Sequence, residues 1–249
     1  MLRYIYADSL INYPKLAHSM FRDRANQFLT RLGWDVEVNA KGEERDDYDQ
    51  LNPLYVIWQM PDGTHGGAMR FLPTVERTMV NECFQSLLGG GAVKSPLIWE
   101  CTRFCLNREA SGRIAAALML AGGEIMENFG IEHFVGVFDA RMVRIYRKIG
   151  ATPEILGSQG RGAEQIHVGL WHFSKEQKQR VISASGVTSR ESKNWFRSSF
   201  LNQCKKSSPN SKSLHHSEKV HLLHQAADPE SRKKRDTNLH PGLAPEVSA

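Results

Sequence analysis

Leu97-Ile-Trp-Glu-Cys-Thr-Arg-Phe-Cys-Leu106, Ser111-Gly-Arg-Ile-Ala-Ala-Ala-Leu-Met-Leu-Ala-Gly-Gly-Glu-Ile-Met-Glu-Asn-Phe-Gly130, His133-Phe-Val-Gly-Val-Phe138 and Asp139-Ala-Arg-Met-Val-Arg-Ile-Tyr-Arg-Lys-Ile-Gly150 follow one another with only short breaks. The first and third runs are compact and apolar, as buried strands are. In the second, Ser111 is a helix-capping residue. Ile114, Leu118, Ala121, Ile125 and Phe129 then recur at helical spacing, and Gly130 terminates the helix. Asp139 caps the fourth run and Gly150 closes it. Upstream, Tyr4–Ala7 is a short opening strand, and Tyr13–Leu32 carries Leu16, Met20, Arg24, Phe28 and Leu32 at helical spacing before Gly33. Residues 42–52 are polar and irregular. Leu54–Met60 and Gly67–Leu72 are strands joined through Pro61-Asp-Gly-Thr-His-Gly66, a hairpin signal. Downstream, Leu156–Ala163 is glycine-rich and predicts a flexible turn, and Ile166–Phe173 supplies the last strand. Antiparallel strands followed by strand–helix–strand–helix–strand predict an α/β three-layer sandwich with a mixed sheet and helices on its faces.

The 249 residues suffice for a substantial core, and 41% hydrophobic with 24% charged residues is ordinary globular usage. No apolar stretch approaches the roughly 18 residues of a membrane span, and the amino terminus lacks the apolar core of a secretory signal. Cys83, Cys101, Cys105 and Cys204 are scattered, without the spacing of a disulfide framework or a zinc site, so no metal and a cytoplasmic setting are expected. The net charge of +5 is concentrated at one end. Residues 201–249 hold eight Lys/Arg against five Asp/Glu and five of the ten histidines, with no aromatic ring among Phe, Trp and Tyr. Such a segment buries too little to fold alone. The expected division is therefore a folded body over 1–200 and a disordered, basic, His-rich tail over 201–249, dispensable on truncation at Phe200. The nearly neutral body argues against a nucleic-acid-binding domain.

Two segments of the body are anomalous. Glu44-Arg-Asp46-Asp47-Tyr-Asp49 gathers acids just before a hydrophobic strand, and Trp99-Glu100-Cys-Thr-Arg103-Phe104 places charges inside one. Buried charges require partners, and Arg70, Asp46 and Asp49 are the candidates. Glu100 and Arg103 point to opposite faces of a regular strand because their spacing is odd. Either a bulge between them turns both into one pocket, or they form separate ion pairs at the sheet rim. Arg24 and Phe28 share a helix face one turn apart, with Trp34 close behind. Such a set can hold a carboxylate on the arginine while the rings sandwich a planar or cationic group, or it can be ordinary core packing.

Arg24-x3-Phe28-x5-Trp34, Glu44-x-Asp46-x2-Asp49, Arg70 and Trp99-Glu100-x2-Arg103-Phe104, in that order, resemble the acyl-homoserine-lactone synthases over about residues 1–200. The resemblance implies a fold like that of the GCN5-related N-acetyltransferases. It also implies an activity: acyl transfer from acyl carrier protein to the amine of S-adenosylmethionine, then lactone closure with release of methylthioadenosine. S-adenosylmethionine would be a substrate, and no cofactor is expected. By resemblance, Arg24, Phe28, Trp34 and Arg103 hold S-adenosylmethionine. Asp46, Asp49 and Arg70 join Glu100 and Arg103 in the catalytic set through an ion-pair network that shapes the pocket. Glu100 is the candidate base, and Glu100→Gln is expected to fold normally and lose N-acylation.

Asn107–Gly112 lacks the pyrophosphate-binding glycine spacing of acyl-CoA-using acetyltransferases. On the helix 139–149, Met142, Ile145 and Ile149 are expected to face the core. Arg141, Arg144 and Lys148, flanked by Arg147, form a basic stripe suited to an acidic carrier protein. Thr102 and the strand 133–138 are expected to border the acyl tunnel. The resemblance associates 3-oxo chains with a threonine near position 136. Gly136, with Phe138 beyond it, points to unsubstituted or 3-hydroxy chains instead. The rivals are an acetyl-CoA-dependent N-acetyltransferase of the same fold and a non-catalytic regulator that binds S-adenosylmethionine or a lactone.

Overall fold

A computed structural model describes residues 1–206. The chain forms a seven-stranded sheet in the order β1-β2-β3-β4-β5-β7-β6. Its strands are β1 (Leu2–Tyr6), β2 (Leu54–Gln59), β3 (His65–Pro73), β4 (Ile98–Leu106), β5 (His133–Asp139), β6 (Glu154–Gln159) and β7 (Ile166–Trp171). The helices are α1 (Pro14–Ala25), α2 (Met79–Glu82), α3 (Gly112–Phe129), α4 (Ala140–Ile149), α5 (Lys175–Ser185) and α6 (Ser189–Lys206). Every neighbouring pair is antiparallel except β4–β5, which is parallel, so the sheet is mixed as expected.

Alternation along the strands divides the core into layers. Ile5, Tyr55, Ile57 and Ala68 pack under Leu16, Met20 and Phe21 of α1. Leu54, Val56, Met69 and Phe71, on the opposite face, pack against Leu118, Ala121 and Ile125 of α3 and Phe196 of α6. This is a three-layer α/β sandwich.

Several local expectations are corrected. The predicted single helix over 13–32 is α-helical only to Ala25 and continues over Asn26–Arg31 as a wider π-helical turn. Leu156–Ala163 is not a flexible turn: residues 154–159 form β6, an edge strand paired with β7. A Cβ at Gly157 would lie 1.7 Å from the Leu87 carbonyl oxygen, so that glycine serves a close backbone approach. On α4, Tyr146 and Ile149 are buried, whereas Ile145 is 40% exposed. Spacing explains the difference, because Met142, Tyr146 and Ile149 share a face and Ile145 falls one position off it. Helix α6 runs six residues past the expected boundary at 200. Phe200 packs on Tyr4, Tyr6 and Phe129, so truncation there would cut a docked helix. The rest of the expected tail lies outside the described residues, as does the alternative short helix near 218–227.

Candidate active site

The acidic segment folds locally before it meets its partners. The Asp46 side chain accepts a hydrogen bond from the Asp49 backbone N–H (3.1 Å), and Asp49 accepts one from the Asp46 N–H (2.9 Å). This reciprocal cap starts the short 3-10 turn Asp47–Leu51 and aims both carboxylates at the sheet. There they meet three guanidinium groups. Arg24 donates to both oxygens of Asp49 (2.9 and 3.0 Å) and to Glu44. Arg70 donates to Asp46 (3.0 Å), to Asp49 (2.6 Å) and to the Thr102 hydroxyl (3.0 Å). Arg103 donates to Glu44 (3.0 Å) and pairs with Asp46 (2.7 Å).

Three acids thus balance three bases, and Arg24, Arg70 and Glu44 are at most 1% exposed. Burial alone would raise the Asp49 pKa, but Arg24 and Arg70 overcome it and hold that carboxyl well below the usual range. Glu44 bridges Arg24 to Arg103. It belongs to the quoted spacing, although sequence reasoning assigned it no role.

The bulge is present, and it sits on Arg103. In the β3–β4 ladder Ala68 opposes Cys105 and Arg70 opposes Thr102, so β4 carries one extra residue. Arg103 absorbs it with a left-handed φ of 52°. The consequence is the one the odd spacing demanded: Glu100 and Arg103 line the same cavity, together with Trp34. Glu100 is 1% exposed, and its two oxygens accept hydrogen bonds from the backbone N–H groups of Met79 (3.1 Å) and Val80 (2.6 Å). Burial raises its pKa to about 7, against the opposing pull of those two N–H groups and of Arg70 and Arg103. Nothing in the sequence around Met79 signals this contact, because backbone atoms make it. In Glu100→Gln the new amide NH2 would face a backbone donor, a cost to the normal folding expected of that variant.

Phe28 and Trp34 stack directly on each other, centroids 5.1 Å apart and 13° from parallel. They therefore do not sandwich a third group, and the guanidinium over Phe28 is that of Arg103, 5.2 Å from the ring centroid. Arg24, Asp46, Asp49 and Arg70 lie behind Arg103 and are not among the residues lining the cavity. Of the expected catalytic set, Glu100 and Arg103 reach it.

The cavity, about 410 Å³, passes through the sheet. The β4–β5 ladder pairs Ile98–Glu100 with His133–Val135 and ends there, and the strands part beyond it. On one side the lining is Glu100, Thr102, Arg103 and the stacked rings. On the other it is apolar, with Phe134, Gly136 and Phe138 of β5, Trp171, Phe173, and Met119, Gly122 and Met126 of α3. A Cβ at Gly136 would stand 2.6 Å from the Cys101 carbonyl oxygen, so β4 leaves room only for glycine there. The α3 residues, Trp171 and Phe173 were not singled out from the sequence, although two adjacent glycines inside a helix are a signal. Arg141, Arg144, Arg147 and Lys148 are exposed on α4, outside the cavity, and Arg141 also pairs with Asp139 (2.9 Å).

A family profile described as autoinducer synthase matches residues 8–181. The chain belongs to the autoinducer synthase family, and it is an enzyme. An acyl-homoserine-lactone synthase of Rhizobium etli is 40% identical over 183 residues, spanning 71% of this chain and 86% of that protein. One from Agrobacterium fabrum is 35% identical over 160 residues, 60% and 75% of the two chains. The crystal structure of the synthase LasI superposes with a TM-score of 0.65 at 25% identity over 74% of this chain and 94% of that one. A structure titled as a CoA-dependent acyl-homoserine lactone synthase, MesI, shares the fold, with a TM-score of 0.67 at 24% identity over 76% and 96%. The mixed seven-stranded sheet of this chain, with helices on both faces, is the fold of these synthase structures. Among the described residues no helix is long and apolar enough to cross a membrane.

Proposed function

We propose that this synthase transfers an acyl group from acyl carrier protein to the α-amine of S-adenosylmethionine and closes the product to an N-acyl-L-homoserine lactone. The observation that carries the reading is the cavity through the sheet, with a carboxylate and a guanidinium at its charged mouth and an apolar chamber behind. S-adenosylmethionine is then a substrate, seated against the exposed face of the Phe28–Trp34 pair and Arg103. Arg24, Asp46, Asp49 and Arg70 act through Arg103 as positioning residues.

An α-amine has a pKa of about 7.7–8.0, so near neutrality much of it is protonated. Glu100, with a pKa of about 7, takes that proton directly or through one water. The nitrogen then attacks the thioester carbonyl, the N–C bond forms, the C–S bond breaks, and the carrier thiol leaves with a proton. Amide N–H groups of β4 beyond the end of the β4–β5 ladder are candidates to stabilise the transient oxyanion. In the second step the methionine carboxylate attacks its own γ-carbon. The bond from that carbon to the sulfonium breaks, and methylthioadenosine departs. This closure is intramolecular, so positioning supplies most of its catalysis.

The exposed Arg141, Arg144, Arg147 and Lys148 favour an acidic carrier protein as donor. Gly136 and Phe138 favour unsubstituted or 3-hydroxy chains, with Thr102 at the entrance. The cytoplasm is the proposed setting, favoured by cysteines scattered without the spacing of a disulfide framework. Mass spectrometry of lipophilic products from a host expressing the chain tests the reading: an N-acyl-homoserine lactone supports it. An N-acetylated product without methylthioadenosine would favour the acetyltransferase, and stoichiometric binding without turnover would favour the regulator.

A further inference from the structure

Tyr146 stands apart from the rest of the apolar chamber. Its ring is 95% buried and clamped at 5.2 Å from both Phe138 and Trp171, nearly perpendicular to each. Phe104 closes a third side at 6.4 Å. The other polar side chains at this depth have partners. Trp171 Nε1 donates to the Ala151 carbonyl (2.8 Å), Cys101 Sγ to Met69 Sδ (3.7 Å), and Asp139 caps α4 through the Arg141 N–H (2.9 Å). The Tyr146 hydroxyl has no hydrogen-bond partner among the described residues, yet the residue lines the cavity. A phenylalanine would pack against the same three rings. The hydroxyl opens on the cavity, where a ligand can supply the partner that the protein does not.

The depth of Tyr146 identifies which part of a ligand it meets. Its ring contacts Phe104 of β4 and Phe138 of β5, the two strands that also carry Glu100 and Gly136 into the cavity. An acyl carbonyl reacting beside Glu100 places its first few carbons at that level, while the distal methylenes run on towards Met119, Met126 and Phe173. Burial pushes the phenol pKa far up, with the Cys101 and Asp139 groups adding to it. The hydroxyl therefore stays protonated and can both donate and accept.

We propose that the Tyr146 hydroxyl hydrogen-bonds an oxygen at position 3 of the acyl chain, so that the enzyme selects 3-hydroxyacyl donors over unsubstituted ones. The inference rests on the chamber being the acyl site proposed above, and it narrows that proposal to one donor class.

The test compares wild type with Tyr146→Phe on 3-hydroxyacyl and unsubstituted donors of equal length, supplied as carrier-protein and as CoA thioesters. The readouts are methylthioadenosine release and the lactone formed. Wild type is expected to prefer the 3-hydroxy donor about three- to tenfold in kcat/KM, the range of one net hydrogen bond. In Tyr146→Phe that preference disappears, because kcat/KM falls more for the 3-hydroxy donor than for the unsubstituted one, and thermal unfolding is not lowered. Equal slowing on both donors, an unchanged preference in the variant, or no preference in wild type overturns the proposal while leaving the synthase reading intact. No methylthioadenosine from wild type with any donor would instead overturn the synthase reading itself.

Discussion

The two sides of the sheet solve the problem of lining one cavity in opposite ways. On the α1 side, Arg24, Arg70 and Arg103 meet Glu44, Asp46 and Asp49, and each group has several partners at hydrogen-bond distance. Removing one member strips each of its partners of one of its charged contacts in a buried setting, so this side is geometrically stiff and intolerant. On the α3 side the lining is aromatic rings, methionines and three glycines. Rings and thioethers repack at modest cost, so this side tolerates change in volume but not in polarity. The division suits a two-substrate enzyme: a fixed charged end for a polar substrate and an adaptable apolar end for a chain whose length and substitution vary.

The largest effect is expected at the junction of the two sides. Glu100→Gln should lower N-acylation by about 10²–10⁴, the usual contribution of a general base. It should also lose about 1–3 kcal/mol of stability, because its NH2 faces a backbone donor. A pH profile separates the two effects. Wild-type kcat/KM rises with pH through about 7 as Glu100 ionises. In the variant only the substrate amine's own rise, near 7.7–8.0, remains. An unchanged limb near 7 in well-folded Glu100→Gln would remove Glu100 from the base role.

Next in size is Arg70→Met, which leaves Asp46 and Asp49 buried without their shared partner. Denaturant unfolding should show a loss of about 3–5 kcal/mol. The acid limb of stability carries the same signature. Asp49 is depressed in the folded state, so its contribution is present above its ordinary value of 3.8 and is lost as pH falls below it. Glu100 works the other way. Its folded pKa is raised, so the fold weakens as pH climbs from 4.5 towards 7 and Glu100 ionises.

Smaller effects belong to the apolar side. A Cβ at Gly122 meets only Phe134, at 3.3 Å, so a leucine there projects into the cavity. Gly122→Leu should shift the lactones towards shorter chains by about 10- to 200-fold per lost methylene position without weakening α3, since leucine is the better helix former. Gly123 cannot serve the same test, because its Cβ would fall 2.0 Å from the Phe173 ring. The smallest effect lies outside the cavity. Reversing Arg144 and Lys148 to Glu should raise KM for the carrier protein several-fold and leave KM for S-adenosylmethionine unchanged, as rim charges steer encounter. A change confined to S-adenosylmethionine would move the docking surface elsewhere.

The same division explains what the sequence made legible. Periodicity exposed the strands and helices around the site, and the odd spacing of Glu100 and Arg103 exposed the bulge, because alternation is a local rule. Charged residues in apolar company exposed the ion-pair network, though not that Arg24 is consumed by it. Contacts made by backbone atoms were invisible, as with the Met79 and Val80 N–H groups on Glu100. So was β6, an exposed edge strand whose Gly157 and Gly160 read as a turn. Tyr146 was hidden for another reason. Its position on α4 reads as ordinary core, and only the folded chain shows that it lines the cavity.

The most direct test combines the purified chain with S-adenosylmethionine and acyl carrier protein carrying an acyl group, then quantifies methylthioadenosine and lactone together. A cavity that joins both substrates through the sheet yields the two products in equal amounts, and neither when one substrate is withheld. Methylthioadenosine formed without the acyl donor, or acyl-amine formed without methylthioadenosine, would mean that the two ends of the cavity do not work as one site.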